Sequence, residues 1–137
     1  MSREQGSVSI VALVLAAALL GAAGLVIDGG AAATAAARAS DIAQDAARAG
    51  VVAGGHPDDG GVVGIDPTVA RDAAAGWLTR EGIDPSTARI AVDADAVTVR
   101  IHQQRPTSLL RLIGITHLRI DGAGAARPAS GITKEGT

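Results

Sequence analysis

The stretch that decides the fold is SVSIVALVLAAALLGAAGLVI, residues 7–27. It contains no charged side chain and lies between Glu4 and Asp28. As an α-helix it would extend for about 31 Å, which matches the roughly 30 Å hydrocarbon core of a bilayer. The sequence therefore predicts one transmembrane helix over residues 7–27, with the lipid bilayer as its first partner.

The charges that flank this helix favour a cytoplasmic N-terminus. Arg3 and the α-amino group precede it, whereas Asp28 follows it directly. Because positive flanks stay in the cytoplasm, we predict that residues 1–6 form a short cytoplasmic leader and that the chain beyond residue 27 is extracytoplasmic. A cleaved secretory signal is the alternative: residues 31–33 offer small side chains for the cut, although such signals have a shorter apolar stretch.

Small residues recur at four-residue spacing along the apolar helix. This spacing lets two helices approach closely in lipid, where packing replaces the hydrophobic driving force. The predicted packing face consists of Ala12, Ala16, Ala17 and Gly21.

An alanine-rich stretch over residues 28–53 favours a second helical segment, a stalk. Its polar residues are spaced 4, 3, 4 and 3 apart and so form one stripe, with small apolar faces elsewhere; they are Thr34, Arg38, Asp41, Asp45 and Arg48. The apolar helix is predicted to continue into this stalk, with Gly29 and Gly30 as the place for a kink or a break.

The rest of the chain predicts a small α+β domain over residues 66–128. A Gly-rich loop, residues 54–65, leads to Asp66 and Pro67, which are typical of a helix start, and Gly82 is a helix stop. Alternating residues predict strands over 88–92, 97–102 and about 115–125, with a short helical turn over 107–113. The fold is one helix on a three-stranded antiparallel sheet, followed by a disordered tail over 129–137. The predicted core residues are Trp77, Leu78, Val97, Val99, Ile101, Leu118 and Ile120.

Few residues suggest chemistry. The chain has no Cys, Phe or Tyr and a net charge of −2, which argues against thiolate chemistry, base stacking and nucleic-acid binding. His102 and His117 fall on the predicted solvent face of two strands, where Asp95 or Asp121 could assist a metal, but they are interpreted as solvated residues. His56, Asp58 and Asp59 are interpreted as a solvated loop. We therefore predict no enzyme activity, no metal, no cofactor and no small-molecule substrate.

Three stretches, taken in order, resemble one protein family. They are the leader with Gly6 and SVSIVALVLAAALL, then LVIDGGAAATAAARASDIAQDAARAGV, then VTVRIHQQRPTSLLRLIGITHLRIDGAGAARP. Over about residues 3–128 the chain is similar to the TadE/TadG-like family of tight-adherence (Flp-type) pilus assembly proteins. The resemblance implies a pilin-like, single-pass protein of a bacterial cell membrane, whose partners are other pilin-like or pilus assembly proteins.

The resemblance also implies processing after Gly6, which would make Ser7 the first mature residue. Pilin-like members have Glu at the fifth mature position, whereas this chain has Val11. This departure fits a minor subunit at a filament end, or an assembly factor that stays in the membrane, better than a repeating subunit. The alternative function is a secreted small binding domain released from a signal peptide, with residues 54–64 or the two strand histidines as its ligand site.

Overall fold

The computed structural model describes residues 4–57 and 63–129, with side chains from Val8 onward. The fold is α+β, as the sequence predicts. Its helices are α1 (Glu4–Gly54) and α2 (Pro67–Arg80), and its strands are β1 (Gly55–Pro57), β2 (Val63–Ile65), β3 (Ala88–Val92), β4 (Val97–Pro106) and β5 (His117–Ala126). Two 3-10 turns lie at Pro85–Thr87 and Leu110–Ile113. Residues 1–3 of the predicted leader, and the predicted disordered tail beyond residue 129, lie outside the described residues.

Helix α1 joins the predicted apolar segment and the predicted stalk in one element of 51 residues. Gly29 and Gly30 are both helical, so the chain neither breaks nor leaves the helix there. A glycine in a helix costs about 1 kcal/mol relative to alanine but keeps its backbone hydrogen bonds. The long alanine-rich flanks offset this cost.

The chain forms two compact units, and α1 contributes to both. The first, called here the helix–loop unit, comprises residues 4–35 and 104–120. The second, called here the core unit, comprises the described residues of 36–103 and 121–129.

The sheet supplies the largest buried side chains of the core unit. Strand β3 pairs antiparallel with β4, with Val92 opposite Val97 and Ala88 opposite Ile101. The sheet order is β3-β4-β5. Because strand side chains alternate between faces, Val97, Val99 and Ile101 all point inward and are fully buried.

Helix α2 begins and ends at the predicted signals. The Asp66 carboxylate accepts hydrogen bonds from the N–H groups of Thr68 (2.9 Å) and Val69 (3.0 Å). Gly82, with φ +75°, follows the last turn. The helix buries Ala70, Ala74 and Leu78 against the sheet side of the core.

The second half of α1 is the core helix of the core unit. Ala43, Ala46 and Ala47 are fully buried in the same apolar cluster as Leu78. A Cβ at Gly50 would lie 2.9 Å from the carbonyl oxygen of Ala70, so glycine there allows close approach. This helix covers the apolar face that a domain of about 65 residues could not bury well alone.

The segment predicted as a Gly-rich loop contains a short hairpin. Gly55 pairs with Ile65 and Pro57 with Val63, antiparallel. Composition indicates a turn here, but the pairing of its flanks depends on Ile65, whose side chain is buried in the core. Asp58 and Asp59 lie outside the described residues.

Candidate functional site: the apolar helix and the loop docked on it

The first part of α1 is apolar around its whole circumference. Its most apolar 18-residue window has a mean hydropathy of 2.8, and only 6% of that window is buried. The exposed large side chains between residues 8 and 27 are Val8, Ile10, Val11, Leu13, Val14, Leu15, Leu19, Leu20, Leu25, Val26 and Ile27. A helix that is apolar on all sides and not covered by protein is typical of a membrane span. Among the described residues, α1 is the one helix long and apolar enough to cross a membrane.

Three of the predicted packing residues, Ala12, Ala16 and Ala17, are exposed, and Gly21 is partly buried. Ala17 and Gly21 also border a cavity of about 230 Å³ that is lined by residues of the segment between β4 and β5, called here the β4–β5 loop (residues 107–116). The two residues of the predicted processing site, Gly6 and Ser7, lie in the first turns of α1.

Asp28 holds the β4–β5 loop on α1. Its Oδ1 accepts the N–H of Ser108 (2.9 Å), and its Oδ2 accepts the N–H groups of Leu109 and Leu110 (both 2.8 Å). The carboxylate is buried, with 6% of the residue exposed. A charged acceptor that satisfies three backbone donors forms hydrogen bonds stronger than neutral ones.

These hydrogen bonds also shift the titration of Asp28, the first residue after the predicted membrane segment. The N–H of Leu110, then those of Ser108 and Leu109, lower the pKa of Asp28 below its usual value, against an opposing contribution from burial. Hydrogen bonding to the charged form favours that form. Asp28 is therefore an anion at neutral pH.

A glycine and a threonine complete the docking. A Cβ at Gly24 would lie 3.3 Å from side-chain atoms of both Leu109 and Leu110, so its absence lets the loop approach α1. At the loop ends, the N–H of Thr107 donates to the carbonyl oxygen of Thr116 (3.0 Å), and the Thr107 hydroxyl donates to that of Ile115 (2.5 Å). The residues of α1 that lie next to the β4–β5 loop form one stripe along the helix: Ala17, Gly21, Gly24 and Asp28.

Sequence reasoning did not assign Asp28, Gly24 or Thr107 to a site. It used Asp28 only as the end of the apolar segment. The one available signal was an acidic residue next to a long apolar run. A carboxylate in such a position needs a hydrogen-bond partner wherever it becomes buried. That partner is 80 to 82 residues away in sequence, beyond any local spacing pattern.

The core unit has a second surface feature around Trp77. An open groove of about 840 Å³ runs between residues of α1 and α2 beside this side chain. The Arg80 guanidinium lies 5.0 Å from the ring centroid, and the indole N–H is buried without a hydrogen-bond partner. Of the predicted core residues, Trp77 and Leu118 are partly buried and the other five are buried.

The histidines have separate local partners. His102 Nδ1 lies 2.7 Å from Asp121 Oδ1 in an exposed pair, and His117 Nδ1 lies 3.1 Å from the Thr116 hydroxyl. Asp95 lies near Arg127 instead. Within residues 4–57 and 63–129 no group of three or more His, Cys, Asp or Glu side chains could hold a metal ion.

We expect the His102–Asp121 pair to contribute little to stability. Both side chains are more than half exposed, and exposed ion pairs typically contribute less than about 1 kcal/mol. Asp121→Asn should therefore change the free energy of unfolding, measured in urea by Trp77 fluorescence, by less than this amount. A much larger loss would mean that the pair has a structural role that its exposure does not indicate.

The geometry therefore offers surfaces for lipid and protein contact: an apolar helix, a loop docked on it, and an open groove. The Asp28 carboxylate and the three N–H groups that it accepts from are paired with one another, so we assign them a structural role. Comparison of this chain with models of protein families, with curated proteins and with solved structures finds no match.

Proposed function

We propose that this protein is a pilin-like, single-pass membrane protein that acts in the assembly of a Flp/Tad-type pilus or secretion system. It would act as a minor subunit or as a membrane-anchored assembly factor. One observation carries the proposal: a single continuous helix is apolar and exposed in its first half and is the core helix of an α+β unit in its second half. The sequence resemblance described above supplies the pilus assignment.

The mechanism is helix packing combined with domain docking. The exposed Ala12 and Ala16 leave one face of the apolar helix free for a neighbouring helix, at a spacing that permits close approach. In pilin-like members of the family, the Glu at the fifth mature position neutralises the amine of a neighbouring subunit, whereas Val11 carries no charge. This favours a position at a filament end, or in the membrane, over repeated incorporation.

The contacts of Asp28 count against release by a signal peptidase. A cut near residues 31–33 would remove Asp28 and leave the N–H groups of Ser108, Leu109 and Leu110 without their acceptor. The released domain would therefore lack the contact that holds this loop in place.

Site-specific photo-crosslinking in the native host tests the proposal. A photoreactive amino acid at Ala16 should capture a pilin-like or pilus assembly protein while the pilus machinery is expressed. The matched control is Gly21, which is partly buried and borders the chain's own loop and should therefore capture such a partner less efficiently. Absence of any pilin-like partner at both positions would remove the basis of the proposed function.

The intact mass and the N-terminal residue of the protein recovered from carbonate-washed membranes distinguish the minor subunit from the membrane-anchored assembly factor. A chain that starts at Ser7 identifies a processed minor subunit. A chain that starts near Met1 identifies a permanently anchored assembly factor. A soluble product that starts beyond residue 31 would contradict both forms and support the secreted binding domain.

A further inference from the structure

The β4–β5 loop exposes large apolar side chains in a row. Leu112 is 71% exposed, Ile113 57% and Ile115 43%. All three belong to the helix–loop unit. An exposed apolar group of this size on a loop usually marks a contact with another protein or with a membrane.

The position of the loop along α1 indicates a membrane. Leu112 and Ile113 border the same cavity as Ala17, Leu20 and Gly21. Because a helix rises 1.5 Å per residue, Gly21 lies about 9 Å and Ala17 about 15 Å before Ile27 along the axis. If residues 7–27 span a hydrocarbon core of about 30 Å, the loop tip reaches below the bilayer surface.

Seven backbone N–H groups of the loop have partners within the protein, which lowers the cost of bringing this segment into lipid. The N–H groups of Ser108, Leu109 and Leu110 donate to Asp28. Four more N–H groups donate to carbonyl oxygens inside the loop; they belong to Thr107, Leu112, Gly114 and Ile115.

The one charged side chain of the loop is compatible with this depth. Arg111 is exposed and lies between Leu110 and Leu112, and Leu110 packs at the level of Gly24, about 4.5 Å before Ile27 along α1. A long arginine side chain extends towards the headgroups while its stem stays in the apolar region. Its guanidinium can then pair with lipid phosphate.

We propose that the β4–β5 loop is a second membrane contact, which inserts Leu112 and Ile113 among the acyl chains beside α1. This inference rests on the membrane span of the proposed function. It also makes the two sides of α1 unequal: the loop lies beside Ala17 and Gly21, so we expect partner helices to approach from the Ala12 and Ala16 side. The loop would thereby fix the rotation of the helix in the membrane.

Spin labels on single cysteines test the insertion in the full chain, which has no native cysteine. The protein is reconstituted in phosphatidylethanolamine–phosphatidylglycerol vesicles and labelled in turn at residues 112 and 113. Matched controls are Leu20, exposed on the predicted span, and Thr34, exposed on α1 beyond it. The readout is the accessibility of each label to oxygen, which enriches in lipid, relative to a water-soluble nickel chelate.

We expect the oxygen-to-chelate accessibility ratio at residues 112 and 113 to resemble that at residue 20 and to exceed that at residue 34 by about tenfold, since polar reagents are excluded from hydrocarbon. Chelate-accessible labels at 112 and 113, with residue 20 still in lipid, would overturn loop insertion alone. A chelate-accessible label at residue 20 would overturn the membrane span itself. Labels at 112 and 113 shielded from both reagents would mean that a protein partner covers the loop, and would also overturn the proposal.

Discussion

Replacing Gly124 by alanine is expected to lower the free energy of unfolding of the core unit by about 3 kcal/mol or more, at the upper end of the cost of overpacking. A Cβ at Gly124 would overlap backbone atoms of Ala43 and Gln44 in α1. Backbone atoms cannot rotate away as a flexible side chain can. Strand β5 and α1 would therefore have to separate.

Neighbouring contacts show how closely β5 approaches the helix. A Cβ at Gly122, two residues earlier on the same face, would lie 2.6 Å from the Cβ of Ala39. The Gln44 side chain bonds the strand in both directions: its Nε2 donates to the carbonyl oxygen of Ala125 (2.7 Å), and its Oε1 accepts the N–H of Ala125 (3.1 Å). Separation would break these bonds as well as expose the alanine face.

The measurement is urea unfolding of the full chain in detergent, followed by the fluorescence of Trp77, the only aromatic residue. The matched control is Gly76→Ala in α2. Its new Cβ has nothing within 4 Å, so it should stabilise the helix by about 0.5–1 kcal/mol. Equal unfolding midpoints for Gly124→Ala and the wild type would contradict the close approach of β5 to α1.

Asp28→Asn is expected to release the β4–β5 loop from α1. Asn has one side-chain oxygen, so it cannot accept from Ser108 on one atom and from Leu109 and Leu110 on the other, as the carboxylate does. Hydrogen exchange at these three amides should accelerate. The unfolding temperature in detergent should fall by on the order of 5 °C.

The control for this substitution is Asp84→Asn. Asp84 caps the exposed 3-10 turn Pro85–Thr87 through one backbone donor, Ser86. Asn caps a turn about as well as Asp, so exchange and unfolding temperature should change little. If both variants behave alike, Asp28 has no special role in holding the loop.

Acid should reproduce the effect of the Asn substitution. Because the pKa of Asp28 in the folded chain lies below its usual value of 3.8, its carboxylate stabilises the folded state at pH values above about 4. This contribution is lost as the pH falls through the folded-state pKa. Exchange at residues 108–110 should therefore accelerate in acid in the wild type, and this change should be smaller in Asp28→Asn, where no carboxylate remains to titrate.

Asp28 also connects the fold to the proposed function. It lies where the predicted membrane segment ends, and it fixes a loop whose apolar tip lies beside residues 17–21. Weakening this anchor should leave the core unit folded while it frees the loop and the orientation of α1. Crosslinking through Ala16 in the Asp28→Asn variant would then become less selective for one helix face.

By itself, the sequence determined the elements. A charge-free run of 21 residues, the alanine stretch, Asp66 with Pro67, and the alternation in β3 and β4 each act over a few neighbouring residues, so local rules predict them. These patterns were enough for the α+β fold class and for an exposed apolar helix. They did not reveal the pairing of β1 with β2, because such short segments carry no alternating pattern.

The tertiary structure alone decided how these elements meet. Asp28 contacts residues some 80 positions away. Gly122 and Gly124 lie so close to the backbone of α1, about equally far away in sequence, that neither has room for a Cβ atom. An acid beside an apolar run and two small residues in a strand have many possible partners in sequence. The buried carboxylate is satisfied, and the close approach at each glycine is formed, only when these distant parts of the chain pack together, and local propensity does not contain that information.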